Sequence, residues 1–164
     1  MSFIPEDGSI VAGANSFISL ADANTYHADR RSAATWTALT DAQKQAALIE
    51  ATSYINTFRW ASGSIINDDQ ALSWPRAGAV DREGRMFDSD VIPEQVKQAT
   101  AELAYRIRSA EVMGDQERQE NAVKVGSMAV EYDAYARRDT LYAFVERLLL
   151  GLIEPAGCGR IERG

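Results

Sequence analysis

Apolar positions along the chain follow a helical period in four stretches and a period of two in a fifth. The first stretch, SLADANTYHADRR, places Ser19 three residues before Asp22, a start resembling a capping box, in which the serine oxygen takes an early backbone N–H. Leu20, Ala23, Tyr26 and His27 form its inward stripe. The second, TDAQKQAALIEATSYINTF, has Thr40 as N-cap and Gln43 at the box position. Its alanines with Leu48, Ile49, Ala51, Tyr54, Ile55 and Phe58 make an apolar surface wider than one stripe, so this helix is expected to touch more than one neighbour.

The third helix is predicted from IPEQV onward, with Pro93 where a missing N–H costs nothing and Glu94 in the first turn. Val96, Ala99, Leu103, Ile107 and Ala110 mark one face, Glu102, Arg106 and Arg108 lie off it, and the expected end is near Met113-Gly114. The polar DQERQEN that follows reads as an exposed joint. In AVKVGSMAVEYD the period becomes two: Val123 and Val125, then Met128, Val130 and Tyr132, flank Gly126-Ser127, and a Gly-first turn of two residues suits a short hairpin. Two strands alone are marginally stable, so the hairpin must pack on the helices or on another chain.

The last helix is predicted over DTLYAFVERLLLGLIEP, from near Asp139 to just before Pro155, about 15 residues and roughly 22 Å long. Leu141, Phe144, Val145, Leu148, Leu149, Leu152 and Ile153 cover more than half its circumference. Two readings stand: a central core helix, or a helix that also meets a partner. The small, Gly-rich AGCGRIERG predicts a flexible tail over 154–164. The fold class is therefore mainly α: one domain over 1–164, bundle-like, with four or five helices, a short β-hairpin and a long extended loop. Its C-terminal helix and tail are left for assembly contacts.

The loop is the stretch ALSWPRAGAVDREGRMFDSDVIPEQV. Trp74 before Pro75 is biased towards an extended conformation, Pro75 donates no hydrogen bond, and the Trp supplies a large apolar anchor. Arg76 can lie along that surface or pair with a carboxylate, Gly78 permits a turn, and DREG reverses the chain. Trp74, Pro75, Arg76 and Gly78 are thus the expected loop anchor. Asp81, Glu83, Asp88 and Asp90 lack the ligand order of a calcium loop and read as a solvated acidic surface, or as one displayed to a channel or partner. Asp68 and Asp69 read as turn residues.

Charge changes the picture more than composition does. With 46% hydrophobic and 25% charged residues the chain is ordinary globular protein, but its net charge is −7. The acidic excess is concentrated in residues 61–96, with 3 basic against 7 acidic side chains. Binders of nucleic acid usually carry a basic face, because phosphate neutralisation supplies most of their affinity. The single Cys158 makes no internal disulfide, no run is apolar enough to span a bilayer, and MSFIPEDGSIVAG lacks a basic start, so a soluble protein made in a cytoplasm is expected. No nucleotide-binding, hydrolase or metal motif occurs, and His27, the one histidine, has no nucleophile beside it. The expectation is a protein with no enzymatic activity, no catalytic residues, no metal and no cofactor.

The ordered set SFISLADANTYHADR, LTDAQKQAALIEATSYINT, QALSWPRAGAVDREG, IPEQVKQATAELAYR and VKVGSMAVEYD resembles the head-tail adaptor (head-completion, or connector) proteins of tailed bacteriophages, many of which carry a DnaT-like single-stranded-DNA-binding label. The match covers roughly residues 15–153, and W-P-R-x-G followed by I-P-x-x-V-K-x-A is its most specific part. The resemblance implies a structural virion protein at the neck, a homo-oligomeric ring of about twelve copies under the portal. It would join the DNA-filled capsid to the tail, with the portal protein and a downstream neck or tail-completion protein as partners. Genomic DNA would pass through without specific binding, and no membrane is involved. The region from Leu148 to Gly164 would reach the portal or a neighbouring subunit, with Leu149, Leu152, Ile153, Arg160, Ile161 and Arg163 as candidate contacts. Twelve copies would total roughly −84, repelling phosphates in a channel.

The alternative is a true single-stranded-DNA binder, in which Trp36, Trp60 and Trp74 stack bases and Arg30, Arg31 and Arg59 supply local charge. Against it stand the net charge and the apolar neighbours of each Trp. An unrelated structural or regulatory helical domain is the third possibility.

Overall fold

Two capped helices set the frame. In the computed structural model, which describes residues 2–107, 122–125, 128–131 and 142–154, α1 spans Leu20–Ala28 and α3 spans Asp41–Asn56, with α2, Ala33–Thr37, between them. Ser19 caps α1 by accepting from the Asp22 N–H, and its hydroxyl donates to the Asp22 carboxylate at 2.8 Å. Thr40 and Gln43 form the full reciprocal box on α3, the Gln43 side chain accepting from the Thr40 N–H at 2.9 Å. Each box satisfies donors that a helix N-terminus otherwise leaves open.

Helix α4, Glu94–Ile107, lies against α3 and carries the expected face: Val96, Ala99, Leu103 and Ile107 are buried. Leu48, Ala51 and Ile55 of α3 meet it, and Phe17, fully buried, donates its N–H to Thr52 at 3.3 Å. Helix α5, Ala143–Leu148, also packs on α4, and its N-cap Tyr142 meets Tyr54 of α3 edge-on. Five helices among the described residues thus make a mainly α fold, with two small antiparallel sheets. Strands β1, Ser64–Ile65, and β2, Arg76–Ala77, make one. The other is the hairpin of β3, Ala122–Val125, and β4, Met128–Glu131, whose Val125–Met128 register leaves the two-residue connection that the sequence predicts.

Three expectations change. Helix α2 was not foreseen; its AATWT carries one large apolar residue, Trp36, too little to show a period. The last helix is six residues long rather than about 15: Tyr142 is its non-helical N-cap, and Gly151 turns the chain with φ +91°. Leu149 and Leu152 then fold back into the core, and Trp60 bridges to Ile153. Finally, the loop passes Trp74-Pro75 through a cis peptide, which the sequence reading did not foresee. The expected end of the third helix, the polar joint, Tyr132 and the tail from Pro155, with Cys158, Arg160, Ile161 and Arg163, lie outside the described residues.

Trp74 is the anchor of its loop. It is 1% exposed and meets Trp60 and Phe87 edge-on, with centroids 5.4 and 5.9 Å away. Among the described residues Arg76 pairs with no carboxylate; its guanidinium donates to the carbonyls of Ser62, Gly63 and Ser73, tying the loop to β1. Gly78 takes φ +70°.

Candidate nucleic-acid interface

Successive turns of α4 project Glu102 and Arg106, an i,i+4 pair on one helix face, while α1 supplies Tyr26 and the turn just past its end supplies Arg30. With Arg31, Tyr105 and Phe144 of α5 they line a groove of about 260 Å³. The Arg30 guanidinium carbon lies 3.6 Å from the centre of the Tyr26 ring, and its Nη1 donates to the Tyr26 carbonyl. The Tyr26 hydroxyl donates to Glu102 at 3.4 Å, and the same carboxylate takes Arg106 at 2.8 Å. Arg106 in turn sits 5.6 Å from the Phe144 ring, which is 45% exposed.

The floor of the groove is polar but closed. His27 is fully buried, 2.7 Å from the Ser32 hydroxyl through Nδ1 and 3.1 Å from the Ala101 carbonyl through Nε2. A carbonyl only accepts, so Nε2 carries the proton and Nδ1 accepts from Ser32. Burial holds the His27 pKa below its usual value, which agrees with this neutral tautomer. Trp36 and Tyr105 pack on the imidazole at 4.4 and 5.7 Å. Burial, then the Glu102 charge, raises the Tyr26 pKa, so the phenol stays protonated and keeps its donor.

The charge of the groove is the reverse of the chain's. Three guanidiniums, Arg30, Arg31 and Arg106, stand against the one carboxylate of Glu102, which Tyr26 and Arg106 already occupy. Arg31 is exposed and makes no hydrogen bond or ion pair among the described residues. On the far side of the Tyr26–Arg30 stack a second depression of about 340 Å³ is lined by Asp22, Thr25, Glu94, Lys97 and Gln98. Cationic groups interleaved with aromatic faces are what single-stranded nucleic acid requires: charge for the phosphates and rings for the bases.

Of the residues that the sequence offered for this chemistry, Arg30 and Arg31 reach the groove. The tryptophans do not. Trp36 and Trp74 are each 1% exposed, and Trp60 is partly buried against Trp74, so no Trp presents a free ring. Arg59 lies elsewhere, 3.4 Å from Glu154. Phe144 was missed as a ligand-facing group because it reads as part of the apolar surface of the last helix, and Tyr105 was not singled out.

The acidic loop divides. Asp81 accepts from the N–H groups of Glu83 and Arg85 and from the Arg85 side chain at 2.9 Å, which lowers its pKa and commits it to its own turn. Glu83 reaches Arg85 at 3.5 Å, while Asp88 and Asp90 are exposed. Leu149 and Leu152 are buried in the chain's own core, and Ile153 is partly buried. Among the described residues no cluster of three His, Cys, Asp or Glu can hold a metal, and no helix is long and apolar enough to cross a membrane.

No curated protein and no solved structure matches the chain. A family model does, over residues 1–164, and the chain accordingly belongs to the family described as "Putative DnaT-like ssDNA binding protein".

Proposed function

We propose that this protein binds single-stranded DNA through the groove between α1, α4 and α5. The observation that carries the reading is the juxtaposition of Arg30, Arg31 and Arg106 with the rings of Tyr26, Tyr105 and Phe144. The family description points the same way. Phosphates pair with the guanidiniums while bases lie on Phe144 and on the exposed side of the Tyr26–Arg30 stack. The net charge of −7 sets the strength: repulsion from the rest of the surface keeps affinity modest and strongly salt-dependent. Fluorescence anisotropy of a labelled oligo(dT) over a range of NaCl tests it. Three engaged arginines give a slope of log K against log salt of about −2, from roughly 0.7 per phosphate neutralised. Binding that is undetectable at low salt, or equal in Arg30→Glu/Arg31→Glu, overturns the reading.

A second reading, the head-tail adaptor, draws on a different observation. Exposed apolar side chains at Ile65, Ile66, Met86 and Leu150, none of which lines the groove, offer contacts to other chains. In that reading the protein is a virion neck subunit, forming a ring on the portal and meeting a tail-completion protein, and its acidic surface repels DNA in transit. Electron microscopy of the protein with its portal tests it: a coaxial ring supports the adaptor, and monomers that ignore the portal refute it.

A further inference from the structure

The turn that follows β1 carries the sequence IINDD. Ile65 and Ile66 are 46% and 41% exposed, and Asn67, Asp68 and Asp69 are exposed with them. This tip is held stiffly. The Gln70 side-chain oxygen accepts from the Ile66 N–H, its amide donates to the carbonyls of Leu72 and Pro75, and Asn67 accepts from the Asp69 N–H. Arg76 clamps its base through the Ser62 and Gly63 carbonyls. Two aliphatic side chains and two carboxylates are thus presented in a fixed arrangement, and neither carboxylate has an ion-pair partner among the described residues.

The groove between α1, α4 and α5 is its complement in both respects. It offers exposed aromatic surface at Phe144 for the isoleucines and the guanidiniums of Arg30, Arg31 and Arg106 for the aspartates. The tip's own hydrogen bonds are made within residues 62–77, on the loop end of the molecule.

The geometry points to a head-to-tail contact between copies of this chain, in which the Ile65–Asp69 tip of one copy enters the α1/α4/α5 groove of the next. Two different surfaces meet, so the contact is heterologous and propagates into a closed ring or an open chain. Apolar burial holds the contact and the opposed charges fix its register. The stiffness of the tip lowers the ordering cost of docking. The aspartates occupy the place of phosphates, so the tip and single-stranded DNA compete for one groove. The inference goes beyond DNA binding and stands without it.

The test is sedimentation velocity of the full chain across a concentration series, without DNA, at low salt. Wild type associates reversibly. Asp68→Lys/Asp69→Lys and Arg30→Glu/Arg31→Glu each weaken association at least about tenfold, and an equimolar mixture of the two, which pairs inverted charges, recovers most of the loss. Both variants change exposed side chains only, and circular dichroism checks that they are folded. Added oligo(dT) dissociates the wild-type assembly. Wild type that stays monomeric at high concentration overturns the proposal, as does a mixture that recovers nothing.

Discussion

The Arg30 guanidinium lies over the Tyr26 ring, its carbon 3.6 Å from the centre, brought there by the turn that follows the end of α1 at Ala28. The stack leaves the cation exposed yet restrained, because its Nη1 also holds the Tyr26 carbonyl. A cation fixed this way loses less freedom on meeting a phosphate than a free lysine would. It is also the wall between the two depressions of this face.

Removing either member of the stack is expected to weaken binding of single-stranded DNA about tenfold, within the roughly 1–3 kcal/mol typical of one stacked base. Tyr26→Phe keeps the ring and is expected to lose little, whereas Tyr26→Ala and Arg30→Ala lose the full amount. Anisotropy titrations of the three variants make the comparison.

Trp74 is expected to matter for stability and not for DNA. Buried to 1% between Trp60 and Phe87, it leaves a large cavity when cut to Ala, at a cost of about 3–5 kcal/mol. Urea denaturation of Trp74→Ala measures it, and unchanged stability would contradict the anchor.

The capping box of α3 gives a smaller effect of known sign. Thr40→Ala leaves the Gln43 N–H without its side-chain acceptor and is expected to cost about 0.5–2 kcal/mol. Gln43→Ala removes the reciprocal bond, and because the two share one box their effects are expected to be less than additive.

His27 adds a pH dependence. Burial lowers its folded-state pKa below the ordinary histidine value of 6.5, so the unfolded chain binds the proton more readily. Its contribution is complete above pH 6.5 and is lost as pH falls from there through the folded value. Thermal unfolding from pH 8 to pH 5 is expected to show the midpoint falling on the acid side, with a shallower slope in His27→Gln. Asp7 and Asp81, whose pKa values are lowered by hydrogen bonds from Ser9 and Arg85, act only further into acid, below 3.8.

The helices with caps and a full period were legible in the sequence. Ser19, Thr40 and Pro93 mark starts because their chemistry is local, and on α4 the predicted Val96, Ala99, Leu103 and Ile107 are buried, joined by Thr100, Ala101 and Ala104, which the single stripe did not include. The hairpin followed from its change of period. Helix α5 was misread because LLGLI continues the apolar pattern, whereas the helix ends at Leu148 and the chain turns at Gly151 with a positive φ. Leu149 and Leu152 look the same in sequence whether they face a partner or fold back into the core. The groove was legible only at Arg30 and Arg31, since its other walls come from residues 102–106 and 144, brought in by packing. The tryptophans were the obvious stacking candidates, and burial removed them.

Ultraviolet cross-linking of the protein to an oligo(dT), followed by mass-spectrometric mapping of the modified residues, tests the interface most directly. Cross-links are expected at Tyr26, Tyr105 and Phe144, and are expected to disappear in Arg30→Glu/Arg31→Glu. Cross-links that map to another face, or that survive this charge reversal, would contradict the groove as the DNA site.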